Sequence, residues 1–328
     1  MSTVFIVILF SSCSGVYSYE CGLKAAPSTV LRVIGGSASQ YSEWPWQALL
    51  YTFDASGVGM MCGATILSAN WLMTAAHCVR NKYENTFVTV NANYVGDLRN
   101  TYFVKKQIVH SGWDLQTVSN DIALLEIDGN IDFLGPAKPI CITKNDSDLI
   151  KTGSVAVITG YGASIVQRAS GVFTTMFDKG LQQATISVID HEKCARTWWA
   201  ITQGETQITD RQICAGAFLA GTAPGDSGGP LQVINHDGRW YQIGITSFGA
   251  NKLVALLDQS NYPGVYTRVS SYYEWINQTI REQRYSCSSS LSLYSLVFAT
   301  SHGQRFSEVI NVRFWSTATS CYHENNTT

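Results

Sequence analysis

Short runs of apolar residues, or of alternating apolar and polar residues, recur between about Gln47 and Arg268. Each run is bounded by glycine, asparagine, aspartate or serine, which favour turns. Many short strands at this spacing predict an all-β protein built from antiparallel barrels or a sandwich. The clearest runs cover residues 47–51, 63–67, 87–90, 122–127, 155–159, 183–188, 231–234 and 242–248.

One later segment follows a helical pattern instead. Ser271 and Glu274 have the spacing of a capping box, in which each side chain bonds to the amide of the other residue. Ile276 and Ile280 then fall on one helical face. The sequence therefore predicts a helix from about Ser271 to Arg284.

The two ends of the chain differ from this middle part. Residues 4–10 form an apolar run followed by small residues, which resembles a secretory signal peptide cleaved near Ser18, although no basic residue precedes it. The run is too short to span a bilayer as a helix. Residues 285–328 are rich in serine and threonine and have no clear period, so we expect an appended extension there.

The composition is that of a globular protein with a sizeable core. The chain has 328 residues, of which 45% are hydrophobic and 14% are charged. Its formal net charge of −2 gives no electrostatic reason to expect nucleic acid or an anionic membrane surface as a partner.

The cysteines indicate an oxidising compartment. Nine are present, and Cys13 falls within the expected signal, which leaves an even set. No Cys-x-x-Cys pair occurs, so a zinc site has little support, and we expect neither a metal nor another cofactor. Disulfides in a secreted, extracellular protein fit better. The remaining cysteines are Cys21, Cys62, Cys78, Cys141, Cys194, Cys214, Cys287 and Cys321.

Three short motifs contain residues with catalytic potential: TAAHC at residues 74–78, NDIALL at 120–125 and GDSGGP at 225–230. Taken singly, each has an ordinary structural explanation. His77 could be a core histidine, Asp121 a turn residue before a strand, and the glycine-rich segment a tight loop.

Together, His77, Asp121 and Ser227 form a set that can activate a nucleophile. A serine hydroxyl needs a base to remove its proton, and an imidazole is the natural base near neutral pH. The imidazole in turn needs a buried carboxylate that fixes its tautomer and stabilises its charge. Glycines beside the serine let the backbone approach a substrate, so that two amides can bind the developing oxyanion.

With these motifs in the order His, Asp, Ser, the chain resembles the chymotrypsin (trypsin-like) family of serine proteases over about residues 21–284. The resemblance implies two packed six-stranded antiparallel β-barrels with a C-terminal helix and an active cleft between the barrels. His77 and Asp121 would belong to the first barrel and Ser227 to the second, as the catalytic triad of a serine endopeptidase.

The same resemblance assigns supporting residues and partners. Backbone amides of Gly225 and Ser227 would form the oxyanion hole, and Ser247 would hydrogen-bond the aspartate of the triad. The strand that contains Ser247 would also pair with the backbone of the substrate. Protein or peptide substrates and protein protease inhibitors are the implied partners.

Residues 32–36, RVIGG, resemble the site at which zymogens of this family are cut. Cleavage after Arg32 would free the Val33 ammonium to pair with Asp226 and order the oxyanion loop. Such a buried ion pair exists only after the cut, which makes it a switch. The implied layout is a signal at 1–18, an activation propeptide at 19–32, a trypsin-like protease domain at 33–284 and an extension at 285–328.

The resemblance also implies how the cysteines pair. Three pairs follow from the family, and one of them would keep the propeptide attached after cleavage. The fourth pair joins the two cysteines that are left. The pairs are Cys62–Cys78 in the histidine loop, Cys194–Cys214 in a second-barrel loop, Cys21–Cys141 between propeptide and protease, and Cys287–Cys321.

A disulfide that usually lies beside the specificity pocket is missing. The family has a cysteine four residues before the nucleophile, where this chain has Ala223. No cysteine occurs between Ser247 and Pro263 to act as its partner. Since both halves are absent together, the bridge is lost cleanly.

In the register of the family, Gly221 lies at the base of the P1 pocket, and Gly249 and Gly264 lie at its walls. An open, uncharged pocket suits a large apolar side chain such as Phe, Tyr or Leu, whose burial contributes about 1.5–3 kcal/mol. No carboxylate stands at the base to offset a buried basic charge, so a separate trypsin-like protease would be required to cut after Arg32. Asp258 is the alternative source of a carboxylate and would create a basic preference.

Two other classes of protein share part of this pattern. A non-catalytic binding or adhesion protein on the same fold usually lacks a triad residue or the oxyanion glycine, and this chain keeps them all. An α/β-hydrolase shares the bare Gly-x-Ser-x-Gly spacing around Ser227, but alternating strand–helix patterns are missing and the order of the triad differs. The protease is therefore the favoured function.

Four Asn-x-Ser/Thr sequons are candidate glycosylation sites if they are exposed. They begin at Asn145, Asn277, Asn325 and Asn326.

Overall fold

A computed structural model of the chain describes residues 20–24, 37–40, 42–79, 83–167, 170, 173–177, 180–250 and 252–288. The expected signal, the cleavage site between Arg32 and Val33, and Cys321 lie outside the described residues. In the described part, no helix is both long and apolar enough to cross a membrane.

The first half of the chain forms a closed antiparallel barrel. A two-residue strand, β1 (Ser37–Ala38), comes before it. The barrel strands are β2 (Gln47–Asp54), β3 (Gly59–Ile66), β4 (Trp71–Thr74), β5 (Tyr83–Val90), β6 (Thr101–Val109) and β7 (Ala123–Ile127). They lie in the order β2-β3-β4-β7-β6-β5, and β5 pairs back to β2.

The second half forms another closed antiparallel barrel. Its strands are β8 (Val155–Gly160), β11 (Gln182–Ile189), β12 (Gln212–Gly216), β13 (Pro230–Ile234), β14 (Trp240–Phe248) and β15 (Gly264–Arg268), and the hairpin of β9 (Ala163–Gln167) and β10 (Phe173–Phe177) lies in a separate sheet. The order is β8-β11-β12-β15-β14-β13, and β13 pairs back to β8. Strand β1 adds to β11. Two six-stranded barrels confirm the all-β fold that the family resemblance implies, and they exclude a sandwich.

Three helices and two 3₁₀ turns also lie in the described part of the chain. The helices are α1 (His191–Ile201), α2 (Leu253–Leu257) and α3 (Tyr273–Ser288), and the 3₁₀ turns are Ala76–Cys78 and Val269–Tyr272. The predicted C-terminal helix is present, but its predicted bounds were wrong. Ser271 lies within the second 3₁₀ turn, so α3 begins two residues later. The described helix also extends to Ser288, four residues beyond the predicted Arg284.

A buried polar network joins the two barrels. Thr159 of β8 donates its hydroxyl hydrogen to Oε1 of Gln47 on β2, with 2.7 Å between the oxygens. Nε1 of Trp46 donates to Oε1 of Gln232 on β13 at 2.5 Å, and Nε2 of Gln232 donates to Oγ1 of Thr159 at 3.3 Å. Because buried polar groups are costly without partners, these bonds favour one register of barrel against barrel.

Candidate active site

His77 lies in the 3₁₀ turn Ala76–Cys78, which follows β4. The two alanines before it are buried, and their small side chains let the turn pack closely on the barrel. Cys78 in the same turn is bonded to Cys62 of β3. The side chain of His77 is 19% exposed, so the ring borders solvent while its backbone is fixed.

Asp121 lies just before β7, and it is completely buried. Its Oδ2 lies 2.8 Å from Nδ1 of His77, and its Oδ1 accepts a hydrogen bond from the His77 amide at 2.9 Å. The hydroxyl of Ser247 donates to Oδ2 at 2.5 Å. The hydroxyl of Thr267 donates to the Asp121 carbonyl oxygen at 2.8 Å. Strands β14 and β15 of the second barrel therefore help to hold a residue of the first.

These contacts decide where the hydrogen of the neutral His77 ring lies. An ionised carboxylate only accepts hydrogen bonds, so Nδ1 of His77 carries the hydrogen and Nε2 is left as an acceptor. A ring oriented in this way can take a proton at Nε2, and the imidazolium that results is stabilised by the Asp121 carboxylate.

Ser227 lies half-buried in the loop between β12 and β13. Gly225 and Gly228 in this loop have φ angles of +101° and +77°, a region that glycine adopts without strain. The carbonyl oxygen of Ser227 accepts a hydrogen bond from the Gly63 amide at 2.7 Å. Gly63 follows Cys62, whose disulfide holds the histidine turn. The serine loop and the histidine turn are thus fastened to the same strand, β3.

Asp226, beside the serine, lies in a tightly enclosed position. Its carboxyl oxygens accept hydrogen bonds from the amides of Gly162 at 2.8 Å and Ala223 at 2.9 Å. An ideal Cβ on Gly160 would lie only 2.0 Å from Oδ1, so the site requires glycine there. Burial raises the pKa of this carboxyl to about 6, and the two amide hydrogen bonds oppose that rise. The carboxyl group borders a cavity of about 60 Å³ that is also lined by β8 and β11.

The three glycines of the expected P1 pocket differ in their surroundings. Gly249 and Gly264 lie near each other, because an ideal Cβ on Gly249 would be 3.9 Å from Cα of Gly264. An ideal Cβ on Gly221, by contrast, would lie 1.9 Å from Oε1 of Gln259. The sequence predicts an open base at Gly221. In the structure, the side-chain amide of Gln259 occupies that space.

Asp258, the alternative source of a carboxylate for this pocket, is engaged within its own turn. Its carboxylate accepts hydrogen bonds from the Ser260 hydroxyl and from Nδ2 of Asn261, the latter at 2.8 Å. The hydrogen bond from Ser260 holds the pKa of Asp258 below its usual value. The carboxylate is thus satisfied locally.

Disulfides bond six of the described cysteines. The pair Cys287–Cys321 stays a prediction, because Cys321 lies outside the described residues. Cys62, His77 and Cys78 come within 4.8 Å of one another, but the two sulfurs are bonded to each other and are not thiolate ligands for a metal. The bonds are Cys21–Cys141, Cys62–Cys78 and Cys194–Cys214.

A family model described as Trypsin matches residues 33–276. The chain belongs to the trypsin family of serine proteases. The matched range contains both barrels and all three sequence motifs.

Relatives of this trypsin-family chain include three serine proteases from animals. Serine proteinase stubble of Drosophila melanogaster is 29% identical over 80% of this chain and 33% of its own length. CLIP domain-containing serine protease B10 of Anopheles gambiae is 31% identical over 80% of this chain and 73% of its own. Transmembrane protease serine 7 of Mus musculus is 32% identical over 79% of this chain and 30% of its own. The chain thus spans about a third of two of these relatives.

Two residues of this trypsin-family site were not found by sequence reasoning. Thr267 holds the carbonyl of Asp121, and Gln259 fills the space beside Gly221. Both are buried polar residues, but threonine in a strand and glutamine in a loop are common where they only face solvent. Their burial, which marks them as special, is visible only in the structure.

Proposed function

We propose that the protein is a secreted serine endopeptidase, made as a zymogen, with His77, Asp121 and Ser227 as its catalytic triad. The observation that carries the proposal is the buried Asp121 carboxylate, which receives hydrogen bonds from His77 and from Ser247. This contact leaves Nε2 of the ring free to act as the base.

In the proposed reaction, Oγ of Ser227 attacks the carbonyl carbon of the scissile peptide bond while its proton moves to Nε2 of His77. The C–N bond then breaks, and the amine leaves with the proton from His77, so that an acyl-enzyme remains. Water attacks the acyl-enzyme with the same base and releases the acid product and the free serine.

The amides of Gly225 and Ser227 are the proposed oxyanion donors. Within the described part of the chain, neither amide donates a hydrogen bond to a backbone carbonyl. Amides that are left without a backbone acceptor are available to a developing negative charge once the proposed cleavage has ordered the loop.

Activation by cleavage after Arg32 is supported by the position of β1. Ser37 of β1 pairs with Gln183 of β11, and Gln183 lines the cavity that Asp226 borders. Val33 precedes Ser37 by four residues, which reach about 14 Å when extended. Among the residues that the structure describes, no cation pairs with Asp226, and an ammonium at Val33 would supply that positive charge.

Two further features of the proposal concern specificity and export. The absence of a charged group at the described glycines of the P1 pocket supports a preference for large apolar side chains such as Phe, Tyr or Leu. The apolar run at residues 4–10 and three disulfides support secretion. Exposed Asn145, in a loop, is the proposed glycosylation site.

The test of the enzyme is to cut the purified protein after Arg32 with trypsin and assay peptides that differ only at P1. We expect hydrolysis after Phe, Tyr or Leu that exceeds that of the cut Ser227→Ala control by about 10⁴-fold or more. Faster cleavage after Arg than after Phe would contradict the P1 preference. No difference between wild type and the control would contradict the peptidase itself.

Activation is tested separately. If the mature enzyme disfavours basic P1 residues, an Arg32→Ala protein should stay inactive after trypsin treatment, and the concentrated wild type should not activate itself. N-terminal sequencing of the wild type after trypsin should give Val33. Rapid self-activation of the purified wild type would contradict the need for a separate protease.

A further inference from the structure

Gln259 is held close to the end of β12 by its backbone. It follows α2 by two residues, is 4% exposed, and donates its amide hydrogen to the Ala217 carbonyl at 3.1 Å. An ideal Cβ on Gly216 would lie 2.2 Å from the Gln259 carbonyl oxygen. The backbone of Gln259 therefore packs tightly against residues 216 and 217. This contact limits how far the segment, and with it the Gln259 side chain, can shift.

The side-chain amide of Gln259 makes two hydrogen bonds to one residue. Its Oε1 accepts from the Thr222 amide at 3.1 Å, and its Nε2 donates to the Thr222 carbonyl at 2.6 Å. This pairing fixes the plane of the side-chain amide. It also holds Thr222, which follows Gly221, close to the position where the family usually has a disulfide and this chain has Ala223.

The same amide fills the space that a side chain at position 221 would need. An ideal Cβ on Gly221 would lie 1.9 Å from Oε1 of Gln259 and 2.1 Å from its Cδ. Glycine at 221 and glutamine at 259 are thus sterically matched, since any larger residue at 221 requires the amide to move. The chemical group at the base of the pocket comes from the second residue, not from the first.

The groups nearest this base are polar and uncharged. After its bonds to Thr222, the Gln259 amide keeps one hydrogen and one lone pair. An ideal Cβ on Gly264 would lie 3.1 Å from Oγ1 of Thr222 and 3.3 Å from the hydroxyl of Tyr266. The Asp226 carboxyl lines the same cavity, but the proposed cleavage would pair it with the Val33 ammonium. In the cut protein, a basic side chain at the base would therefore meet dipoles but no unpaired opposite charge, which does not offset its desolvation.

The structure assigns to Gln259 the role of specificity-determining residue of the P1 pocket. This inference rests on the proposed peptidase function. The neutral amide of Gln259 replaces the side chain of residue 221 as the floor of that pocket, and it excludes basic P1 residues. The neighbouring carboxylate of Asp258 does not take this role because it is bonded to Ser260 and Asn261.

The test replaces the neutral Gln259 amide by a carboxylate of nearly the same shape. Gln259→Glu and the uncharged control Gln259→Met are cut after Arg32, and kcat/KM is measured for two peptides that differ only in Arg or Phe at P1. We expect the Arg:Phe ratio to rise about tenfold or more in Gln259→Glu, and to grow with pH as the new carboxyl, whose pKa burial raises, ionises. Gln259→Met should leave the ratio within about threefold of wild type.

A purely structural role of Gln259 predicts a different result. If Gln259 only braces Thr222, both variants will lower kcat/KM for the two peptides by the same factor, and the Arg:Phe ratio will not depend on pH. That outcome would overturn the inference while leaving the peptidase function intact.

A binding measurement separates this inference from the proposed function. In a Ser227→Ala background, which needs no turnover, the fluorescent cation p-aminobenzamidine should bind to the cut Gln259→Glu protein about tenfold more tightly than to the cut Gln259→Met protein. Equal binding overturns the inference even if no peptide is ever hydrolysed.

If Gln259→Glu does not fold, as judged by its thermal transition, Gln259→Ala provides the second variant. Removing the amide deepens the pocket, so kcat/KM for a P1 Trp peptide relative to a P1 Leu peptide should rise about threefold or more. An unchanged ratio would place Gln259 outside the pocket and contradict the assignment.

Discussion

The histidine side and the serine side of the site are held by different kinds of interaction. On the histidine side, a disulfide joins the turn of His77 to β3, and the completely buried Asp121 receives a bond from the ring. On the serine side, hydrogen bonds hold the loop of Ser227. The Gly63 amide donates to the Ser227 carbonyl, the Asp226 carboxyl accepts from a loop amide, and the Gln259 side chain accepts from another.

The difference has a physical consequence. A disulfide and a satisfied buried carboxylate keep their geometry over a wide range of conditions, whereas hydrogen bonds to Asp226 depend on whether that group is ionised. The histidine side of the site is therefore fixed, and the serine side is adjustable. The proposed cleavage after Arg32 would act on the adjustable, serine side.

The largest expected effect comes from removing the covalent link on the fixed side. The double substitution Cys62→Ala, Cys78→Ala opens a loop with a sequence separation of 16, which should lower the free energy of unfolding by about 3 kcal/mol. Denaturant unfolding measures this loss. Cys194→Ala, Cys214→Ala, with a separation of 20, is the matched control and should cost about the same stability.

The two disulfide variants should differ in activity. Only the loss of the bond beside His77 should reduce kcat/KM of folded, cut protein, because only that bond positions a residue of the site. Equal activity losses in the two variants would show that the histidine turn does not depend on its disulfide.

On the adjustable side, Gly225→Ala should lower kcat/KM about a hundredfold. At a φ of +101°, an ideal Cβ would lie 2.9 Å from Cα of Gly162, so the loop must shift and carry an oxyanion donor with it. Gly57→Ala is the control, because its φ of +81° is also positive but no atom lies within 4 Å of its ideal Cβ. Kinetics of the cut proteins test this, and similar losses would rule out a specific role for Gly225.

The ionisation of Asp226 should make the stability of the uncut chain depend on pH. Because burial raises its pKa from 3.8 to about 6, the folded state binds the proton more tightly than the unfolded state does. Stability is therefore fully present below about pH 4 and should fall by about 3 kcal/mol as the pH rises through 6.

The uncut Arg32→Ala protein, unfolded by denaturant between pH 4 and pH 7, provides this measurement. Asp226→Asn in the same background should remove that fall, since it leaves no group to ionise. A pH dependence that survives this substitution must come from other residues.

The smallest effect is expected where the two sides meet. Ser247→Ala removes one of the donors to the Asp121 carboxylate and should lower kcat/KM about tenfold. Thr267→Val removes a hydroxyl that binds only the carbonyl of Asp121, so it should have a smaller effect on kcat/KM. A larger loss from Thr267→Val would mean that the backbone of Asp121 matters more than its carboxylate.

Strand positions and motifs could be predicted from the sequence because they are local signals. Alternation within short runs located β2, β8 and β14, and three motifs located the residues around Asp121. Strands β6, β12 and β15 were not among the predicted runs. Nearly every position of β12 and β15 is buried, so these two strands lack the alternation of a strand with one exposed face.

The start of the C-terminal helix and the base of the P1 pocket could not be predicted for a related reason. Val269 and Tyr272 are both buried, and their packing continues the chain through a 3₁₀ turn past the capping-box serine. Gln259 lies 37 residues from Thr222, its partner. Sequence patterns relate residues that are close along the chain, so they do not predict a contact between residues this far apart in sequence.

The disulfide Cys21–Cys141 has a consequence for the order in which the protein is made. Its cysteines are separated by 120 positions, and the Cys21 carbonyl accepts a hydrogen bond from Arg239, which lies later still in the chain. At about 5–20 residues per second, Cys141 is synthesised roughly 6–24 s after Cys21. Cys78 follows Cys62 within about 1–3 s.

The short loop can therefore close while the long one still lacks a partner. During that interval Cys21 has no native partner, and a bond to Cys62 or Cys78 would be an error that later has to be exchanged. If Cys62–Cys78 closes before Cys141 is made, both wrong partners are removed. The histidine-turn disulfide would then also protect the pairing of Cys21.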